Sequence, residues 1–268
     1  MNSEARGATF DGRVAIVTGA GSGIGRATAE LLARRGAQVA CWDVDGDAAM
    51  HTAREIASAG GVACSVTVDV GDESSVIAAM DETHALSGDI TVLAANAGVE
   101  GPIGTIDECD LAAWDKVVRV NLTGVFLCAK HAIRTMRSHG HGGGIVITAS
   151  NGALSAATGW APYAATKGAL QALTRNLAVD HAPHGIRVNC VNPGPIHTPL
   201  LQRGWSETGD YSDSAELRGR LGTPEEVASV IVFLASDEAA LVSGAGLAVD
   251  AAQSAHLGVS WPSPSYYH

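Results

Sequence analysis

The chain has 268 residues, of which 46% are hydrophobic and 32 are glycine. That is enough to bury the core of one large α/β domain and to make many tight turns. Its formal charge is −11 at pH 7, which argues against nucleic acid or an anionic membrane as partner, because phosphate recognition needs clustered cations.

In chain order, residues 1–10 read as an N-terminal tail without the apolar core of a secretion signal, and 11–268 as a single domain that no linker divides. Arg13 to Thr18 is a β-branched run. It feeds Thr18-Gly-Ala-Gly-Ser-Gly-Ile-Gly25, after which Ala27, Leu31 and Leu32 mark a helix. A glycine-rich turn between a strand and a helix suits a dinucleotide pyrophosphate. Gly19 permits the tight turn, Gly23 lets phosphate approach the backbone, and Gly25 lets the helix pack closely. The next strand, Gln38 to Trp42, delivers Asp43, where an acid binds the adenosine ribose hydroxyls and repels a 2′-phosphate. NAD is therefore expected over NADP, with Arg26, one residue past the last glycine, as the opposing feature.

Further apolar strands are expected at Val62 to Val68, Ile90 to Ala94, Gly144 to Ala149, Ile186 to Asn192 and Gly246 to Asp250, separated by helix-length stretches. Seven strands alternating with helices predict a doubly wound, Rossmann-type α/β fold: a seven-stranded parallel sheet with helices on both faces. Trp114, Val117, Val118, Leu122, Val125, Phe126, Ala129, Ile133 and Met136 keep a helical period, so one long helix is expected over Trp114 to Arg137. A second is expected over Tyr163 to His181. The apolar faces of these helices imply a homo-oligomer. Pro195 to Thr223 has weak periodicity and is longer than ordinary connections, so a substrate lid is expected over about 195–223.

No run is apolar over the ~18 to 20 residues needed to span a membrane, and a soluble, cytoplasmic protein is expected. The five cysteines show no paired spacing and read as core fillers. The ten histidines show no HExxH-like pattern, and no metal site is expected.

The reacting groups lie in Trp160-Ala-Pro-Tyr-Ala-Ala-Thr-Lys167-Gly. Tyr163 and Lys167 are four apart and share a helix face, with Ser150 thirteen residues before the tyrosine. An adjacent ammonium favours the phenolate, so Lys167 is expected to lower the Tyr163 pKa and make it a general base. Ser150 would hold the substrate oxygen. Asn151, Gly152, Trp160, Gly194, Leu200, Leu201 and Trp205 are candidate substrate contacts by their nearness to these groups and the lid. Their apolar members suggest a cyclic or hydrophobic alcohol.

With these residues in hand, the chain resembles the classical short-chain dehydrogenase/reductase family over Phe10 to Asp250. The matches are TGxxxGxG at Thr18 to Gly25, NAG at Asn96-Ala97-Gly98, the set Asn121, Ser150, Tyr163 and Lys167, and Pro193-Gly194 with Thr198 following. The resemblance implies NAD-linked hydride transfer to or from a secondary alcohol or ketone, and a homotetramer. It also implies that Ser22 and Ile24 hold the cofactor with the glycines, that Asp69 and Val70 contact adenine, and that Asn96, Ala97 and Gly98 flank the cofactor. Ile196 and Thr198 would bind the carboxamide, Lys167 the nicotinamide ribose, and Asn121 a water leading from Lys167. The family usually has two glycines after the last strand's aspartate, where this chain has Ala251 and Ala252. The C-terminal run from Gly258, with two prolines and three aromatics, is a candidate cover for a neighbouring subunit's pocket. Alternatives are an NADPH-dependent 3-oxoacyl carrier reductase and a catalytically silent nucleotide sensor.

Overall fold

The β-branched and alanine-rich runs form strands β1 (Arg13–Thr18), β2 (Gln38–Asp43), β3 (Val62–Thr67), β4 (Asp89–Ala95), β5 (Gly143–Thr148), β6 (Ile186–Pro193) and β7 (Gly246–Val249). All pair in parallel in the order β3-β2-β1-β4-β5-β6-β7. The winding direction reverses between β1 and β4, and a crevice opens at the carboxyl ends of the strands at such a point. The computed structural model describes residues 10–84, 86, 88–202 and 220–256. The 1–9 segment, Trp205, the middle of the expected lid and the run from Gly258 lie outside them.

Helices α1 (Gly23–Arg34), α2 (Gly46–Ser58), α3 (Glu73–Thr83), α4 (Leu111–Val118), α5 (Gly124–His139), α6 (Ala161–His181) and α7 (Pro224–Ala235) cover the sheet. Alternation along each strand divides the core between its faces. Val14 and Ile16 of β1 join Val76, Met80, Ile133, Met136 and Leu170 from α3, α5 and α6. Ala15 and Val17 join Leu32, Ile56, Val227 and Ile231 from α1, α2 and α7. Leu32 and Leu170 are fully buried, each contributing about 1.5–3 kcal/mol of transfer free energy. The indole of Trp42 donates to Thr83 Oγ1 at 2.9 Å, which satisfies its polar atom inside an apolar layer. None of the described helices is long and apolar enough to cross a membrane.

The structure corrects the sequence reading at the helix over Trp114 to Arg137. It starts earlier, at Leu111, and is interrupted by a π-helical turn, Arg119–Thr123, between α4 and α5. The extra residue in that turn sets Asn121 fully inside, while Phe126, assigned to the apolar stripe, is 48% exposed. The two ends of the segment expected to form a lid are stitched together. Ile196 bridges Gly222, and His197 N donates to Gly222 O at 2.9 Å while Gly222 N donates to Pro195 O at 3.0 Å.

After β7, Ala251 and Ala252 have φ of 54° and 69°, the only non-glycine residues with positive φ among those described. A left-handed alanine costs roughly 1–2 kcal/mol. The two positions where the resembled family usually has glycine are thus positions whose backbone favours glycine, and the chain holds alanines there under strain.

Candidate active site

A cleft of about 1010 Å³ opens at the carboxyl ends of β1, β2, β4, β5 and β6. At one end lies the glycine-rich turn. Gly19 has φ of +66°, and a Cβ there would fall 3.0 Å from Ala97 Cα. A Cβ on Gly25 would fall 2.0 Å from Gly19 O, so the close approach that requires this glycine is to the turn itself. Gly25 does not line the cleft, whereas Gly19, Ser22, Gly23 and Ile24 do. The first turn of α1 carries no acid, and the Ser22 side chain makes no capping bond. An open helix N-terminus with free N–H groups suits a pyrophosphate, so these residues fit a dinucleotide.

Asp43 reaches back over the turn. Its Oδ2 accepts from Gly21 N at 2.8 Å and its Oδ1 from Asp45 N at 3.0 Å, which leaves the carboxylate beside the glycines. Arg26 points elsewhere and pairs with Glu30 at 2.9 Å. Asp69 and Val70 line the same end. The Arg119 guanidinium, bonded at 2.7 Å, is the main cause holding the Asp69 carboxyl below its usual value. Thr18 clamps the facing loop, its Oγ1 accepting from the N–H of both Asn96 and Ala97 at 2.9 Å. Asn96, Ala97, Gly98, Pro193, Gly194, Ile196 and Thr198 line the middle of the cleft.

The reacting end is built where β5 ends and α6 begins. Ser150 caps a short 3-10 turn, its Oγ accepting from Gly152 N at 3.1 Å and donating to Asn151 Oδ1 at 3.3 Å. The first turn of α6, led by Trp160 with Pro162 just inside the helix, aims Tyr163 into the cleft. The Trp160 and Tyr163 rings meet edge to face at 5.6 Å. Lys167 is 4% exposed, with Nζ donating to Thr148 O at 2.8 Å and lying 5.5 Å from the Tyr163 ring centroid. Burial lowers the Lys167 pKa from 10.5 to about 8. For Tyr163, burial is the largest influence and lifts the phenol to about 12, with Glu100 adding and the Ser150 hydroxyl opposing. The expected lowering by Lys167 does not appear: desolvation of the phenolate sets the direction of the shift, and Lys167 is not among its causes.

Asn121 does not line the cleft. It stands behind it, with Oδ1 accepting from Val99 N and Nδ2 donating to Val99 O, both at 2.8 Å, and it meets Thr166 Oγ1 at 3.4 Å. Asn151, Gly152, Trp160, Gly194, Leu200 and Leu201 all line the cleft; Trp205 is outside the described residues. Sequence reasoning missed Thr18 as a clamp, Arg119 as the partner of Asp69, Glu100, and Gln253, whose Oε1 accepts from Asn151 Nδ2 at 2.8 Å. A threonine closing β1 was a legible signal for the first, but nothing in the sequence pointed to the last. At the opposite end of the sheet, Asp89, His139 and His141 bring ligand-type atoms within 4.8 Å of one another, a grouping that spacing did not foresee. Both His139 nitrogens are engaged there, Nε2 with Ile90 O and Nδ1 with His141 N, each at 3.1 Å.

A family profile described as "Enoyl-(Acyl carrier protein) reductase" matches residues 19–252. The cis-4-hydroxycyclohexanecarboxylate dehydrogenase of Sinomonas cyclohexanicum is 47% identical, covering 91% of this chain and 97% of its own length. The cyclohexanol dehydrogenase of Acinetobacter sp. (strain SE19) is 36% identical over 91% and 95%. The crystal structure of levodione reductase superposes with a TM-score of 0.87 at 34% identity, over 92% of this chain and 99% of that one. A glycine-turn cleft on a doubly wound sheet, a tyrosine and a lysine one helix turn apart within it, and similarity running nearly end to end lead to one assignment: the chain belongs to the short-chain dehydrogenase/reductase family.

Proposed function

We propose that this oxidoreductase exchanges a hydride between NAD and the carbinol carbon of a cyclic or hydrophobic secondary alcohol, with Tyr163 as the acid/base. The observation that carries this reading is the Tyr163 phenol in the cleft, beside Ser150 and one helix turn from the buried Lys167. Bound nicotinamide supplies the hydride acceptor or donor and, when oxidised, a positive charge. Ser150 and Tyr163 hold the substrate oxygen between two hydroxyls, which fixes the reacting carbon in place. The Tyr163 phenolate takes the hydroxyl proton in oxidation, and the resulting phenol returns it in reduction. Lys167, anchored on Thr148, holds its ammonium beside the ring and toward the nicotinamide ribose. Asn121 pins the Val99 backbone, in the loop after β4, and thereby positions the Asn96 to Gly98 backbone for the cofactor. Gly19, Ser22, Gly23 and Ile24 take the pyrophosphate, Asp69 and Val70 the adenine, and Pro193, Gly194, Ile196 and Thr198 the nicotinamide side. Trp160, Leu200 and Leu201 shape the apolar wall.

NAD is favoured by the Asp43 carboxylate over the glycine turn and by the pairing of Arg26 with Glu30. These features, and the overall acidity of the chain, weigh against the NADPH-dependent carrier reductase. A panel of secondary alcohols, from 2-propanol to cyclohexanol and borneol, assayed with NAD and with NADP tests both halves of the proposal. Cyclic alcohols with NAD should give the highest kcat/KM, and an absence of NAD reduction with every alcohol would sink it. In Asp43→Ser, loss of the ribose hydrogen bonds and of repulsion toward a 2′-phosphate should move the NAD/NADP preference about 10²-fold toward NADP.

We further propose a homotetramer. Phe126 on α5, Leu111 on α4 and Val179 on α6 are 48%, 72% and 74% exposed and give these helices apolar outer faces. Sedimentation equilibrium at the mass of one chain would refute it. Five free thiols suit a reducing, cytoplasmic setting.

A further inference from the structure

Beyond the serine and tyrosine, the substrate end of the cleft carries a polar element that the proposed reaction does not use. Ser150 Oγ donates to Asn151 Oδ1, and Asn151 Nδ2 donates to Gln253 Oε1. The chain of bonds runs from the reacting serine through Asn151 to a residue 102 positions beyond Asn151 that lines the cleft. With Gln253 Oε1 engaged, its Nε2 is left with two N–H groups that bond to no described residue. The backbone that presents it is the strained Ala251-Ala252 turn, held by Ser254 N donating to Asp250 Oδ2 at 2.8 Å. A strained, over-determined segment beside a binding cleft marks a place where geometry matters more than local stability.

We infer that Gln253, aligned by Asn151, is a specificity-determining residue that donates a hydrogen bond to a second oxygen on the ring of the substrate. The preferred substrate class is then a cyclic secondary alcohol carrying a further acceptor oxygen (hydroxyl, carbonyl or carboxylate) away from the carbinol carbon. This rests on the reading of Ser150 and Tyr163 as the carbinol site. Gln253 is half-buried, and an amide that gains a bond only from an oxygenated ring favours that ring over a plain hydrocarbon one.

The test compares kcat/KM for cyclohexanol, cyclohexane-1,4-diol and 4-hydroxycyclohexanecarboxylate in the native enzyme, Gln253→Leu and Gln253→Glu, with cofactor saturating. The native enzyme should favour an oxygenated ring over cyclohexanol, and Gln253→Leu should reduce that ratio about tenfold, mainly through KM. Gln253→Glu keeps the acceptor for Asn151 but replaces the amide donor, so it should also lose the preference, most steeply for the carboxylate. Whichever oxygenated substrate loses its advantage identifies the oxygen that is read. If all three substrates fall in parallel in both variants, Gln253 only supports Asn151 and the inference is overturned. Unchanged ratios overturn it too. Turnover of cyclohexanol with unchanged ratios leaves the proposed reaction standing, whereas no turnover of any of the three takes both readings down.

Discussion

Replacing Tyr163 by Phe should lower kcat for alcohol oxidation by about 10²–10⁴, the range that a positioned acid/base contributes, while NAD binding stays within a few-fold. The substitution removes one oxygen and keeps the ring that Trp160 meets at 5.6 Å. Ser150 Oγ keeps its bonds to Gly152 N and Asn151 Oδ1, so the pocket wall should survive and the loss should belong to chemistry. The direction of the phenol's shift adds a second signature. Burial places it at about 12, so around neutrality the neutral phenol is the dominant form in the protein alone. The proton donor for ketone reduction is then always present, whereas the base for oxidation is scarce and grows as pH rises. Ketone reduction should therefore vary little between pH 6 and 9, and kcat/KM for alcohol oxidation should climb across the same interval. Steady-state rates in both directions, with the cofactor Kd measured by fluorescence titration, would check this. A Tyr163→Phe enzyme retaining most of its turnover, or an oxidation rate flat with pH, would remove the phenol from its role.

That shift also shows where sequence reasoning ends. The four-residue spacing of Tyr163 and Lys167 fixed their shared helix face, and the face was correct. The sign of the pKa change depends on how much water reaches the phenol and on what else holds the ammonium. Neither follows from the spacing: the ammonium is held by the Thr148 carbonyl of β5, and the phenol's burial depends on what packs around it. The strands were legible almost to the residue because β-branched runs bounded by glycine have few other uses, and Asp43 was legible because the end of β2 lies at a fixed distance from the glycine turn. The π-helical turn at Arg119–Thr123 was not, since a single added residue barely disturbs an apolar stripe that continues on both sides. Gln253 was invisible for a different reason: its partner, Asn151, meets it only after β5 and β7 have been brought to the same end of the sheet. Local patterns carry periodicity and caps, while contacts across a hundred residues appear only with topology.

Lys167→Met should separate function from stability in opposite directions. The side chain is 4% exposed, and holding its ammonium in that setting depresses its pKa from 10.5 to about 8. At pH 7 the lysine is protonated in both the folded and unfolded states, so the folded state bears the full burden of the buried charge, roughly 3 kcal/mol at 1.36 kcal/mol per unit. Methionine fills much of the same space without a charge, but leaves the Thr148 carbonyl without the donor it has at 2.8 Å, which returns about 1–3 kcal/mol. The net expectation at pH 7 is a melting temperature equal to or above that of the native enzyme, with kcat reduced at least 10²-fold. The pH dependence isolates the cause. Between about 8 and 10.5 the folded protein releases the lysine proton before the unfolded chain does, so the unfolded state binds more protons and stability rises with pH. The raised Tyr163 acts in reverse, because the unfolded phenol ionises near 10 and the folded one at about 12, eroding stability above pH 10. Burial also raises the thiols of Cys41, Cys128, Cys64 and Cys190 from 9.0, which erodes stability as pH passes 9, so Lys167 is read from the difference between the native protein and Lys167→Met, which share those thiols. Urea unfolding from pH 8 to 10 should show the native midpoint gaining on that of Lys167→Met as pH rises. Parallel curves for the two proteins would mean that the ammonium is not the buried charge described here.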